Sequence, residues 1–265
     1  MIVKSILDTD LYKFTTSYAY MKLFPQARGT FEFFDRDLTE YPEDFVQKVY
    51  LELSNLGMLR LTNSELDYMT SNCYPAMKYE MPMMGTHPHE WFMFHGAMYG
   101  YKQANYMALE NWVNVYDGDL GIALSDTYTS EVFMKNLSRK QAKLFDGVRC
   151  DSGDEFKFIN SMIARYKELG VDPTTKTIVF SNALDFDKCQ DIMEYCGSRI
   201  RCSFGIGTNL TNDTGFKPAN IVMKLISCQM NVNQPVYGCV KLSDDKGKHT
   251  GEMREVKSCL SELGL

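Results

Sequence analysis

Residues 121–126 read Gly-Ile-Ala-Leu-Ser-Asp, a short apolar run that ends in a hydroxyl and a carboxylate. Three comparable runs follow along the chain, at 147–151, 177–182 and 200–204. Short continuous apolar runs are typical of strands buried on both faces of a parallel sheet. Amphipathic helical patterns separate them, for example over residues 159–169. The alternation predicts an α/β fold.

Each of these strands ends in polar residues, namely Asp126, Asp151, Asn182 and the turn 205–209. The ends recur every 25 to 31 residues, close to the roughly 31 residues per βα unit of an eight-stranded barrel. In parallel α/β folds the catalytic groups lie at the carboxyl ends of the strands. We therefore expect one active face, formed by these ends.

The fold predicted for the whole chain is an irregular, incomplete (β/α) barrel with a small α+β sandwich layer made by the two termini. Residues 1–80 are assigned to the N-terminal part of the sandwich and residues 81–225 to the partial barrel. Residues 226–265 are expected to return to the sandwich as strands and a helix.

Local patterns outside the barrel strands add further expected elements. The aromatic run 29–34 predicts a strand, and the spacing of apolar residues predicts helices over 12–23 and 45–56. A single long helix is expected from 93 to 116, where one apolar stripe continues. Two late strands are predicted at 221–226 and 236–242, before a polar terminal helix.

Composition excludes several classes of protein. The 265 residues suffice for one large core, and 45% apolar with 23% charged residues is typical of a globular chain. The net charge of −6, without a long basic run, argues against a nucleic acid partner. No stretch is apolar enough for a membrane span, and early charges argue against a signal peptide. The eight cysteines contain no CxxC pair, so we expect reduced thiols and a cytoplasmic protein.

The segment 85–91, Gly-Thr-His-Pro-His-Glu-Trp, combines two imidazoles and a carboxylate just before a predicted helix. A metal-dependent hydrolase would use the His87-x-His89 pair, although the chain has only four histidines to supply ligands. Alternatively, His89 accepts a phosphoryl group, because neutral imidazole is available at pH 7 and a helix N-terminus favours negative charge. A helix-capping role for His89 is the third interpretation.

Asp126 and Asp151 follow successive strands, where paired carboxylates can hold Mg²⁺ or stabilise a cationic sugar. Either one alone could instead cap a helix. Arg149 lies two residues before Asp151 and would share its face, pairing with a carboxylate or a phosphate. The run 204–213 contains Gly205 and Gly207, whose backbone amides could bind a phosphate.

Taken together, these stretches resemble the nicotinate phosphoribosyltransferase family. The resemblance covers about residues 1–72 and 84–265. The matching segments are 7–13, 85–91, 116–127, 146–154, 203–213 and 241–248.

The resemblance implies an enzyme of NAD biosynthesis that joins nicotinate to phosphoribosyl pyrophosphate and releases pyrophosphate, driven by a phosphohistidine made from ATP. It places His89 at the phosphohistidine, with Asp126 and Asp151 at the ribose and Mg²⁺. It further implies that nicotinate contacts Thr86, Arg149 and, from a neighbouring subunit of a homodimer, Tyr12. The residues implied for the phosphoribosyl group are Asp10, Ser152, Asn182, Gly205, Gly207, Thr208 and Asn209.

The chain departs from the family in three places. Cys150 stands where the family usually has His, and Asn182-Ala183 stand where it usually has Asp-Gly. Between Asn72 and Met84 the chain lacks the family's middle region, with several barrel strands and an arginine-rich segment that supplies cations. Besides an active transferase, a catalytically impaired remnant that still binds phosphate is therefore a hypothesis.

Overall fold

A computed structural model describes residues 7, 9–35, 69–207, 209, 221–245 and 247–265. The helix predicted over 45–56 and the candidate residue Thr208 lie outside the described residues.

A four-stranded parallel sheet forms the centre of the described chain. Its strands are β2 (Ile122–Leu124), β3 (Gly147–Cys150), β4 (Thr177–Phe180) and β5 (Arg201–Phe204), in that spatial order. All three neighbouring pairs are parallel. The four predicted strands are therefore confirmed. Within the described residues β2 and β5 are the edges of this sheet, as expected of an incomplete barrel.

Helices connect these strands and bury apolar faces against them. They are α5 (Ser130–Asn136), α6 (Arg139–Leu144), α7 (Glu155–Glu168) and α8 (Phe186–Cys196). The caps explain where the last two begin, because Asp154 and Asp185 accept hydrogen bonds from backbone N–H groups three residues on. The main core lies between sheet and helices and includes Ile159, Ile178 and Ile192.

The helix predicted from 93 to 116 is in fact two helices, α3 (His89–Tyr99) and α4 (Tyr101–Tyr116). Gly100 separates them with a φ of 81° and a ψ of 152°, which a residue with a side chain rarely adopts. The break lets Trp91 of α3 and Trp112 of α4 pack edge to face inside one core. Apolar residues keep the same spacing on both sides of the bend at Gly100, so the periodicity of the sequence does not reveal that the helix is interrupted.

A second, antiparallel sheet joins the two ends of the chain. It contains β1 (Arg28–Asp35), β6 (Ile221–Gln229) and β7 (Tyr237–Gly238), with β6 in the centre. The helices α1 (Leu11–Leu23) and α9 (Met253–Leu263) complete the terminal segments. The predicted boundary after residue 225 falls inside β6. Because β6 pairs along its length with β1, we propose to place that boundary before Ile221.

The segment that stands in place of the family's middle region is short. It consists of α2 (Cys73–Tyr79) and an extended return in which Thr70 pairs with Met83. Glu80 ends the helix in the left-handed conformation, with a φ of 54°. This short segment therefore connects two parts of the chain between which the resemblance implies a longer region.

Among the described helices, none combines the length and the apolarity that crossing a membrane requires.

Candidate active site

The carboxyl ends of β2, β3 and β4 meet at one edge of the parallel sheet. Asp126 lies two residues after β2, while Asp151 and Ser181 directly follow β3 and β4. The N-terminus of α3 lies against this edge and contributes His89. Lys241, three residues after β7, reaches the same point. The predicted active face therefore also receives residues from the second sheet.

The two ring nitrogens of His89 have different surroundings. Nε2 lies 2.9 Å from Lys241 Nζ, 3.1 Å from Asp151 Oδ2 and 3.8 Å from Asp126 Oδ1. Nδ1 lies 3.0 Å from Thr127 Oγ1. Charged groups thus surround Nε2, while a neutral hydroxyl contacts Nδ1.

Arg149 is held in a fixed orientation by three hydrogen bonds. Nε donates to Ser181 Oγ at 2.7 Å, Nη1 to Thr86 Oγ1 at 2.9 Å and Nη2 to Asp151 Oδ1 at 2.5 Å. Ser181 also donates to Asp151 Oδ1. The guanidinium and the carboxylate are therefore aligned by one hydroxyl group.

Asp151 is ionised in this setting. Burial alone would raise its pKa, but the close contact with Nε2 of His89, the charge of Arg149 and the hydroxyl of Ser181 outweigh burial and hold the pKa well below its ordinary value. The carboxylate therefore remains negative throughout the neutral range.

Asp126 is fully buried, and one of its oxygens has a clear partner: Oδ2 accepts a hydrogen bond from Ser152. Oδ1 has no hydrogen-bond partner among the described residues. Ligand atoms of His89, Asp126 and Asp151 all lie within 4.8 Å of one another. An unpaired buried carboxylate oxygen beside a second carboxylate suits a hard cation such as Mg²⁺.

A pocket of about 350 Å³ opens in front of His89 and Arg149. Its lining also includes Tyr12 of the same chain and three lysines of the second sheet and the segment after it, namely Lys224, Lys241 and Lys248. Burial raises the pKa of Tyr12, so its phenol is neutral. A groove of about 970 Å³ lies between α5 and α7, but His89 and Arg149 are absent from its lining, and we assign the chemistry to the smaller pocket.

Four candidate residues from the sequence line this pocket, namely Tyr12, His89, Arg149 and Asp151; further candidates are connected to them, and others lie apart. His89, Asp126, Asp151, Arg149 and Ser152 are linked by the contacts above, and Thr86 joins them through Arg149. Other candidates make contacts outside this pocket. Asn182 donates to Gly153 O and Glu155, the Gly205 amide donates to Phe180 O, Asn209 donates to Leu184 O, and Asp10 accepts from Ser71.

Three residues of the site were missed by sequence reasoning: Thr127, Ser181 and Lys241. Thr127 and Ser181 belong to the polar strand ends, and that position was the signal that could have found them. Lys241 lies 152 residues from His89, and no local pattern predicts their contact.

His87 points away from the pocket, which corrects the interpretation of His87-x-His89 as a metal-binding pair. Its ring is fully buried and contacts Trp112 at a centroid distance of 4.3 Å. Neither ring nitrogen has a hydrogen-bond partner among the described residues. Burial, assisted by the charge of Arg149, lowers the pKa of His87 to about 3. The imidazole is therefore a neutral core group.

His87 and His95 are expected to make the protein acid-sensitive. Burial also lowers the pKa of His95, to about 4. In the folded protein the pKa values of both histidines lie below the ordinary value of 6.5. Below pH 6.5 the unfolded chain therefore binds protons at these residues that the folded chain does not. The free energy of unfolding should fall between pH 6.5 and 4 by about 1.4 kcal/mol per pH unit for each residue. Chemical denaturation at several pH values measures this slope.

The matched variants are His87→Leu and His249→Ala. Leucine removes one titrating group from an apolar site, so the slope should fall by about half, whereas loss of the exposed His249 should leave it unchanged. Parallel slopes for wild type and His87→Leu would contradict the prediction.

The fold and this site together define a class of protein. A parallel α/β sheet whose strand ends present two carboxylates and an arginine, beside a histidine at a helix N-terminus, is consistent with the type II phosphoribosyltransferase fold, which is the kind of irregular barrel that the family resemblance implies. Comparison with known proteins gives the family. The model of the nicotinate phosphoribosyltransferase (NAPRTase) family matches residues 49–262, and the model of its N-terminal domain matches residues 7–81. The chain belongs to this family.

Individual relatives agree with this assignment. Nicotinate phosphoribosyltransferase from Desulforapulum autotrophicum is 32% identical in an alignment of 385 residues that covers 99% of each chain. The enzyme of that name from Chromohalobacter salexigens is 51% identical over 74% of this chain and 50% of its own. The crystal structure of nicotinate phosphoribosyltransferase from Porphyromonas gingivalis superposes with a TM-score of 0.88 at 36% identity, covering 100% of both chains.

The chain is shorter than these sequence relatives. It covers about half the length of the second relative, and its 265 residues are over a hundred fewer than the first alignment spans. The family prediction and the fold class are nevertheless confirmed, and the metal-dependent hydrolase is not favoured. Family membership implies small-molecule substrates and a reaction coupled to ATP.

Proposed function

We propose that the pocket in front of His89 binds nicotinate, phosphoribosyl pyrophosphate and ATP, and that His89 is the residue phosphorylated to drive formation of nicotinate mononucleotide. The observation that carries this proposal is the meeting of Lys241, Asp151 and Asp126 around Nε2 of one histidine. A phosphoryl acceptor needs a nucleophilic lone pair and cations for the incoming phosphate oxygens. Nε2 of His89 supplies the lone pair, and the lysines that line the pocket supply the positive charge.

Arg149 is suited to hold the nicotinate carboxylate. Each terminal nitrogen of a guanidinium carries two N–H groups, and the contacts to Thr86 and Asp151 use one on each. The remaining pair can donate to a carboxylate in a bidentate arrangement. Tyr12 lines the same pocket and can cover the pyridine ring. The resemblance implied a tyrosine from a neighbouring subunit, whereas here the tyrosine of the chain itself is available.

Asp126 and Asp151 would hold Mg²⁺, as the unpaired Oδ1 of Asp126 supports. Bound there, the ion would neutralise charge on pyrophosphate. The chain's own residues orient these carboxylates, since Ser152 donates to Asp126 and Ser181 to Asp151.

We assign the phosphoribosyl group to the residues that the resemblance implies for it, namely Asp10, Ser152, Asn182, Gly205, Gly207, Thr208 and Asn209. Asn182 stands where the family usually has aspartate, and its amide donates to the carboxylate of Glu155. An aspartate there would face Glu155 with a like charge. Ala183 adopts a φ of 46°, in the left-handed region that the glycine usual in the family adopts without strain.

A homodimer in the cytoplasm completes the proposal. All eight cysteines are free thiols, which suits a reducing compartment.

The impaired remnant is the second candidate, because the chain is more than a hundred residues shorter than the alignment with its first relative. The arginine-rich segment that the resemblance assigns to the missing region would contribute cations for the departing pyrophosphate. Loss of one such charged contact costs about 10²-fold or more in rate. We therefore expect nicotinate-dependent pyrophosphate release at least ~10²-fold slower than from a longer relative.

The test measures pyrophosphate release from phosphoribosyl pyrophosphate with and without nicotinate, beside the Desulforapulum enzyme. Comparable turnover by the two chains would contradict the expected impairment and leave the transferase assignment standing. Absence of both turnover and substrate binding would overturn the assignment itself.

A further inference from the structure

Thr127 follows Asp126 at the end of β2, and its hydroxyl contacts Nδ1 of His89 at 3.0 Å. The residue is only 1% exposed. Its backbone is also restrained, because the carbonyl oxygen accepts a hydrogen bond from Leu242 N at 2.7 Å. The hydroxyl of Thr127 therefore has a fixed position beside the imidazole. The backbone of Thr127 is anchored by Leu242, the residue that follows Lys241.

The surroundings of Nε2 determine where the imidazole proton lies. Lys241 is an ammonium group, with three donors and no acceptor, and its Nζ is 2.9 Å from Nε2. This contact is favourable only when Nε2 presents its lone pair. The neutral ring then carries its proton on Nδ1, and Thr127 Oγ1 accepts it.

Thr127 also accepts a hydrogen bond from Nδ1 when the imidazole of His89 is protonated on both nitrogens. In the imidazolium form both nitrogens carry protons, so Nε2–H donates to Asp151 Oδ2, 3.1 Å away, while Nδ1–H still donates to Thr127. Only the tautomer with its proton on Nε2 alone would reverse the direction of the Thr127 hydrogen bond. Asp151 Oδ2 would accept a hydrogen bond from such an Nε2–H at 3.1 Å, but Lys241 Nζ lies closer, at 2.9 Å, and disfavours that tautomer.

We propose that Thr127 is a positioning residue that keeps the proton of His89 on Nδ1, so that Nε2 is the atom that receives the phosphoryl group. This inference rests on the proposed function of His89. In the step, the Nε2 lone pair forms a bond to the γ-phosphorus of ATP. The bond from that phosphorus to the bridging oxygen breaks, and its electron pair leaves with ADP. Nδ1 keeps its proton, and Thr127 accepts this hydrogen bond as the ring becomes positively charged.

The first experiment needs no catalysis. Nitrogen-15 NMR of the histidine-labelled full chain, with His89→Gln to assign its signals, reports which ring nitrogen carries the proton. We expect Nδ1–H in the neutral ring of the wild type and of Thr127→Ser, which keeps the hydroxyl. In Thr127→Val, which has the same shape without an acceptor, we expect a substantial fraction of the Nε2–H tautomer. Neutral wild-type His89 with its proton on Nε2 would overturn the proposal.

The second experiment measures incorporation of the γ-phosphoryl group from Mg·ATP into an acid-labile, base-stable form. We expect Thr127→Val to slow labelling at least ~10-fold, and Thr127→Ser to restore most of the rate. Equal rates in wild type and Thr127→Val, or equal losses in both variants, would overturn a positioning role. Absence of label in the wild type would count against the phosphohistidine alone, because the NMR result still decides the role of Thr127.

Discussion

Replacement of His89 by alanine is expected to abolish phosphoryl incorporation from Mg·ATP, a loss of at least ~10³-fold. The wild-type chain should acquire an acid-labile, base-stable phosphate, as a phosphorylated nitrogen does. The expected loss is large because the variant removes the nucleophile itself. Radiolabel retained after alkaline treatment measures it.

The structure offers a matched control for this experiment. His249 is exposed and contacts Met253, so His249→Ala should keep full labelling. Labelling of His89→Ala at the wild-type rate would show that another residue accepts the phosphoryl group.

Replacement of Arg149 by lysine should weaken nicotinate binding by about 10²-fold, although the positive charge is kept. A lysine ammonium cannot span Thr86, Ser181 and Asp151 as the guanidinium does, so the bidentate pair of donors is lost. We expect the free energy of unfolding to change by no more than ~1 kcal/mol. Calorimetric titration with nicotinate and chemical denaturation measure the two quantities.

Arg165 provides the comparison, because it pairs with Glu168 on α7 and donates to Leu137 O, away from the pocket. Arg165→Lys should leave nicotinate affinity unchanged. If Arg149→Lys lowers stability strongly but keeps the affinity, Arg149 is a structural residue and nicotinate binds elsewhere.

Much of the architecture was predictable because its signals are local. A run such as 177–182 is apolar over the length of one strand, and the helix that carries Ile159 and Met162 has a period that matches its buried face. Strand ends that share one edge follow from parallel pairing. Asp126 and Asp151 were therefore assigned to one face before any contact was known.

Other features depend on contacts between distant residues. His87 and His89 are two positions apart, yet one lies among aromatic rings and the other in the pocket. The bend at Gly100 also left no trace in the apolar spacing, because both helices keep their stripes on the same core.

The sequence by itself thus determined the alternation of strands and helices, the active edge and the family, because each is encoded in contiguous residues or in motifs. The tertiary structure alone decided which histidine lines the pocket and which groups surround its ring nitrogens. Thr127 reaches His89 from 38 positions away and Lys241 from 152. Such contacts arise from how the two sheets pack against the N-terminus of α3, and no local pattern records that packing.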